Sequence, residues 1–247
     1  MYDFPKKETY TLDDLRRLVR ILRAEDGCPW DREQTHESIR RDFIEETYEA
    51  VEAIDREDPV LLREELGDVL FQVLFHAQIE EENGRFTLDE VITDVTRKMV
   101  IRHPHVFSDL SVSGSGQVLD NWEKIKNEVK GTENKTETLR LVPETFPALM
   151  RADKLLKRAD KAGAPATQCE AERLPSAYSR WQDVRDGDAD EAVNALGELL
   201  MAVVGSARDK GLDAEMALLS ACKGLISRFG QAEKESDKTG KPIAETY

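Results

Sequence analysis

The stretch from Pro59 to Asn83, PVLLREELGDVLFQVLFHAQIEEEN, constrains this chain more than any other. At about 100° per residue, Leu66, Val69, Leu70, Phe71, Val73, Leu74, Phe75, Ala77 and Ile79 fall on nearly every side of a helix, so burial is expected. Glu65, Asp68, Gln72 and His76 nevertheless share one stripe about 80° wide, a polar seam inside a core. The segment before Asp58-Pro59, RDFIEETYEAVEAI, reads as an antiparallel partner helix. Its apolar face is Phe43, Ile44, Thr47, Val51 and Ile54, flanked by Glu46 and Glu49 beside Ala50 and Ala53. Glu45 and Glu52 lie further round.

Converging carboxylates taken out of water oppose folding, or stay protonated, unless a cation joins them. Glu46, Glu49, Glu65 and Asp68 are therefore candidate metal ligands. All offer hard oxygen, with no Cys nearby, which suits Mg²⁺ or Mn²⁺ better than Zn²⁺. Asp and Glu supply 50 of the 247 residues, so an EExxE pattern alone arises by chance. It gains weight from the ExxD on the polar stripe of an apolar neighbour. Glu80 to Glu82 read instead as a solvated face. A diiron site would need two facing ExxH motifs, and the chain has only Glu33-x-x-His36.

The rest of the first half reads as helices between turns. Thr11 to Asp14 forms a capping box ahead of Leu15, Leu18, Val19 and Leu22, and Gly27 ends that helix. Cys28-Pro29-Trp30-Asp31 is expected to be a turn, with Trp30 a core plug. Thr87-x-x-Glu90 caps a further helix, at whose end Lys98 and Arg102 share a face. There they either complement the macrodipole or hold phosphate. His103-Pro104-His105 breaks this helix, Ser108 to Gln117 reads as loop, and helix returns from Asp120 to Val129. Trp122 is either a core aromatic or a stacking face for a base. Gly131 to Thr138 is a polar linker.

The second half repeats the first. Gly163-Ala164-Pro165 matches Gly27-Cys28-Pro29, and Ala195-Leu-Gly-Glu-Leu-Leu-Met matches Glu65-Leu-Gly-Asp-Val-Leu-Phe. The acids are largely lost in the copy. Ser179, Arg180 and Asp183 stand for Glu45, Glu46 and Glu49, Ala195 stands for Glu65, and Glu198 stands for Asp68. Gly224 takes the place of Lys98, while Arg228 matches Arg102. This half reads as a metal-free relic.

A formal net charge of −15 disfavours nucleic acid and anionic membranes as partners. Three widely spaced cysteines suggest neither a disulfide framework nor a zinc ribbon. The N-terminal residues lack an apolar signal core, and no run approaches a spanning helix, so a cytoplasmic protein is expected.

Glu45-Glu46-x-x-Glu49 followed by Glu65-x-x-Asp68 resembles the metal motif of the all-α nucleoside triphosphate pyrophosphohydrolases. The flanks GCPWDREQTH, GRFTL, RHPHVF and NWEKIK are similar to the MazG branch, in order, over nearly all of the first half. The resemblance implies an all-α protein of two tandem, duplicated four-helix-type domains. Residues 1–130 would be catalytic, 131–145 a linker and 146–247 degenerate. The implied reaction is Mg²⁺-dependent, or Mn²⁺-dependent, hydrolysis of a nucleoside triphosphate to monophosphate and diphosphate, by a homodimer. Glu46, Glu49, Glu65 and Asp68 would hold metal, with Glu45 and Glu46 serving catalysis. Lys98 and Arg102 would hold phosphates, Trp122 would lie against base or ribose, and the Trp30 loop would sit near the nucleotide. Ile101 departs from the family's KxxRRH-type segment by replacing its first arginine. Two alternatives stand beside this: a narrower dUTP, dCTP or phosphoribosyl-ATP type pyrophosphohydrolase, and a non-catalytic helical dimer that binds nucleotide or protein.

Overall fold

A computed structural model describes residue 2 and residues 4–130 and 135–247, leaving aside the side chains at 120, 123, 124, 126–130 and 246. Among the described residues the regular structure is entirely helical. Among those residues no helix is long and apolar enough to cross a membrane. The chain divides into two units, Met1–Val129 and Lys130–Tyr247.

In the first unit the boundaries follow local chemistry. Helix α1, Leu12–Arg23, opens on the Thr11 capping box, in which the Asp14 carboxylate accepts the Thr11 N–H at 2.9 Å. Beyond it the chain folds back tightly, the Cys28 N–H donating to the Leu22 carbonyl at 2.8 Å. A Cβ on Gly27 would lie 2.6 Å from that same carbonyl oxygen, which leaves room only for glycine. Where a turn is expected, Pro29–Glu33 forms a short helix, α2, because proline is pre-set for a first helical turn. Trp30 is 62% exposed rather than a core plug. The segment is held instead by Arg23, whose buried guanidinium donates to the carbonyls of Asp31 and Gln34 at 2.7 and 3.1 Å and to the Glu82 carboxylate at 2.8 Å.

Helices α3, Arg40–Asp55, and α4, Pro59–Glu82, form the expected hairpin. Asp58 caps α4 by accepting from the N–H groups of Val60 and Leu61. Gly84, at φ +65°, turns the chain out of α4, and the Thr87–Glu90 capping box starts α5, Leu88–Arg102. Pro104–Phe107 forms α6, and α7 runs Ser115–Lys130, so its first turn takes up residues expected to be loop.

The core lies at one end of α4. Leu74, Phe75, Ala77 and Ile79 pack with Val19, Ile39 and Leu88, and Leu15 and Phe71 flank them. Uniform burial of α4 does not hold: Leu66 is 53% exposed and Leu70 is also exposed. On α3 the buried residues are Ala50 and Ala53, whereas Ile44 and Ile54 face outward. Small side chains let the two helices approach, and that approach turns the Glu46 and Glu49 side of α3 toward α4.

In the second unit α9, Ala148–Lys161, α10, Ala166–Val184, α11, Ala189–Asp209, and α12, Ala214–Thr239, repeat the order of α1, α3, α4 and α5. Asp188 caps α11 through two N–H groups as Asp58 caps α4, and Gly211, at φ +71°, matches Gly84. Part of the expected linker, 131–134, lies outside the described residues. The following Lys135–Arg140 forms α8, which packs on α9, and Ile243–Thr246 forms α13 beside α12. Helices α10 and α11 meet closely at Gly205, where an added Cβ would lie 2.6 Å from the Glu170 Cβ and 3.0 Å from the Ala171 nitrogen. Gly205→Ala is therefore expected to destabilise this unit by about 1–3 kcal/mol, the range for overpacking, read from urea unfolding midpoints. A midpoint equal to or above that of the parent protein would refute the close packing.

Candidate metal centre

Three of the four expected ligands converge. One carboxylate oxygen from each of Glu46, Glu49 and Glu65 lies within 4.8 Å of the others, across the α3–α4 hairpin. Glu65 is 8% exposed, Glu46 is half-buried and Glu49 is exposed, so the group has a closed back and an open front. Asp68 stands outside this trio but beside it, since its charge acts on both Glu46 and Glu65.

The trio is electrostatically unsatisfied. Burial raises the pKa of Glu46 above the usual carboxylate range, and the charges of Asp68, Glu49, Glu65 and Asp42 add to the rise. Glu65 is raised for the same reasons: burial first, then the charges of Glu49, Glu64 and Asp68, with a hydrogen bond to Glu49 that favours its protonated form. Hard oxygens that converge in this way suit a divalent cation.

The remaining expected residues lie elsewhere in the unit. Glu45 is exposed and pairs with Arg41 at 2.7 Å. Lys98 and Arg102 line a separate cavity of about 250 Å³ with Asp94, Arg97 and Ile101. Trp122 is half-buried. The Arg102 guanidinium lies 5.2 Å over its ring, and the His103 ring meets it edge-on at 4.8 Å. Arg102 and Trp122 are thus brought together, the cation on the aromatic face.

Sequence reading missed a second polar cluster further along α4. Glu80, expected on a solvated face, is 7% exposed. Arg85 donates to both its oxygens at 2.5 Å, and His36 Nε2 bonds to it as well. These bonds hold the Glu80 carboxyl at a pKa of about 2, with the Arg85 bond the largest cause. His36 Nδ1 meets His76 Nδ1 at 2.7 Å, with the rings stacked at 5.0 Å. The signal was present: Glu80 stands one turn beyond His76, on the stripe that begins at Glu65.

A depressed carboxyl pKa stabilises the folded state above its unfolded value and loses that contribution as pH falls toward the folded value. The Glu80 contribution should thus be complete above about pH 4.5 and decline toward about pH 2. Thermal melts across that window are expected to show a steeper fall in the wild type than in Glu80→Gln. Parallel curves would count against the ion pair.

An all-helical unit whose central hairpin gathers three carboxylates offers a candidate site for a divalent cation, and the comparisons say which family of enzymes it belongs to. The MazG nucleotide pyrophosphohydrolase domain matches residues 34–107, which hold the whole acid hairpin, Lys98 and Arg102. The nucleoside triphosphate pyrophosphohydrolase of Escherichia coli (strain K12) is 40% identical over 230 residues, covering 90% of this chain and 87% of that protein. The protein of Thermotoga maritima named nucleoside triphosphate pyrophosphohydrolase/pyrophosphatase MazG is 35% identical over 242 residues, covering 97% and 92%. The uncharacterized protein YabN of Bacillus subtilis is 54% identical over 142 residues, of which the match covers 58% of this chain and 29% of that protein. The chain belongs to the MazG nucleotide pyrophosphohydrolase family.

Proposed function

We propose that the protein hydrolyses nucleoside triphosphates to nucleoside monophosphates and diphosphate with Mg²⁺, or Mn²⁺ in its place, at the hairpin of its first unit. The observation that carries this reading is the convergence of Glu46, Glu49 and Glu65, two of them pushed toward protonation, within the segment that the family matches. Glu46, Glu49, Glu65 and Asp68 would hold the cation, which supplies charge neutralisation of the triphosphate and a more acidic attacking water. Glu46 would also serve catalysis from beside the cation, by accepting the proton of that water. Glu45, at the rim with Arg41, is assigned the orientation of water. Lys98 and Arg102 supply positive charge for the phosphates, and Trp122 keeps the Arg102 guanidinium directed.

In-line attack by water on the α-phosphorus breaks the bond to the bridging oxygen of the β-phosphate and releases diphosphate. Incubation with a panel of NTPs and dNTPs, resolved by anion exchange, is therefore expected to give NMP and diphosphate as primary products. NDP with orthophosphate would place the attack at the γ-phosphorus and overturn the reading.

A homodimer in the cytoplasm, without nucleic acid or membrane partners, completes the proposal. The exposed Ile44, Tyr48, Leu66 and Leu70 around the acid hairpin supply an apolar surface for a second copy, and the charge of −15 repels nucleic acid. Light scattering after gel filtration tests the dimer.

A further inference from the structure

A cavity of about 420 Å³ opens between α3, α4 and α5, a size that suits a small-molecule subsite. Its walls are mainly apolar, with Phe43, Val73, Phe86 and Val91 facing the two rings of His36 and His76, and Arg40 also lining it. The cavity belongs to the same hairpin as the acid trio. Phe43 precedes Glu46 by one turn of α3, about 4.5 Å along the axis, and Val73 follows Asp68 by about 7.5 Å along α4. A nucleotide whose phosphates lie at the trio has its base within reach of this space.

The hydrogen bonds fix what the cavity offers. Glu80, locked to Arg85, is an ionised acceptor, so His36 Nε2 donates to it. When His36 is neutral its Nδ1 is then an acceptor, and the 2.7 Å contact requires His76 to carry its proton on Nδ1. His76 Nε2, which has no hydrogen-bond partner among the described residues, is left as a bare acceptor on a ring that lines the cavity.

We propose that this cavity reads the base of the substrate, with His76 Nε2 accepting a hydrogen bond from an exocyclic amino group while the Arg85–Glu80–His36 chain holds the His76 tautomer. The proposal rests on the pyrophosphohydrolase reading for the placement of the phosphates. It assigns His76 to specificity, and His36, Glu80 and Arg85 to positioning. Phe43, whose ring centroid lies 5.5 Å from that of His76, and Phe86 supply aromatic surface for a planar base. Burial lowers the His76 pKa, and the neighbouring His36 adds to the effect, which keeps His76 neutral and able to accept.

The test compares ATP with ITP and CTP with UTP, pairs in which an exocyclic amino group is replaced by an oxo group and the neighbouring ring nitrogen turns from an acceptor into an N–H. It records kcat and KM separately, and it measures binding of the α,β-methylene analogues of ATP and ITP with Mg²⁺ by calorimetry. One net hydrogen bond predicts about a 3–10-fold preference for the amino member, expressed in KM and in analogue affinity. His76→Phe, which keeps a ring against His36, and His76→Gln, whose amide offers either group, should both bring the ratio to one. His36→Phe, which removes the acceptor that fixes the His76 tautomer, should lower the ratio through KM with kcat little changed. A ratio unchanged by both His76 variants overturns the proposal. Absence of NMP and diphosphate, with a His76-dependent ratio in analogue binding, would instead sink the reaction and leave the base reader standing.

Discussion

Glu49→Gln is expected to reduce Mg²⁺-dependent turnover by at least about 100-fold while the helices stay folded. The substitution keeps the shape of the side chain and removes one of three charges that meet within 4.8 Å. Glu49 is also the charge that most raises the Glu65 pKa. A carboxyl whose folded pKa is raised stabilises the fold below its unfolded pKa, and that contribution is lost as pH rises through the folded value. At neutral pH without metal, wild type therefore carries the strain of crowded carboxylates, and Glu49→Gln relieves part of it. Its melting temperature in EDTA should exceed that of wild type. With Mg²⁺ the order reverses, because a cation at 100 times its Kd adds about 2.7 kcal/mol to the protein that can bind it. Kinetics, circular dichroism and melts with and without Mg²⁺ make the check. Wild-type turnover at limiting Mg²⁺ would remove Glu49 from the ligand set.

The parts of this site that were legible in the sequence are those set by a single helix. The stripe of Glu65, Asp68, Gln72 and His76 on an apolar helix needs only a periodicity of 3.6 residues to see. Capping chemistry at Thr11 and Thr87 was equally local, and the helix starts follow it. What failed depends on which side of a helix meets a neighbour. Ile44 and Ile54 look like a core face by hydrophobicity. The hairpin instead closes on Ala50 and Ala53, because small residues allow the approach that brings Glu46 and Glu49 across to Glu65. Trp30 failed for a related reason: a buried arginine, Arg23, organises its segment through backbone carbonyls, and the aromatic ring is not required there. Glu80 was hidden among adjacent acids, where only its long-range partners His36 and Arg85 separate it from its neighbours.

Hydrolysis is expected to come entirely from the first unit, so that full-length protein carrying Glu49→Gln with Asp68→Asn retains none above background. The second unit keeps the order of the helices but not the acids at the matched positions. Ala195, at the place of Glu65, is 0% exposed and so fills a closed position where the first unit keeps a carboxylate. Arg180, at the place of Glu46, donates to Glu198 at 2.6 Å, and Arg173 lies 3.7 Å from the same carboxylate. Glu198 stands for Asp68, so the one acid retained on α11 already has its counter-charge from the protein. A divalent cation entering there would meet a guanidinium at short range, a repulsion that the two remaining carboxylates, Asp183 and Glu198, are too few to offset. Among the described residues the only group of three potential ligands that converges is the one in the first unit. Titration with Mn²⁺ followed by electron paramagnetic resonance gives a readout independent of catalysis. Wild type should bind tightly, and the double variant should show free Mn²⁺ only. Residual turnover or tight Mn²⁺ binding in the double variant would place a second working site in residues 130–247 and end the assignment of that half to folding and assembly.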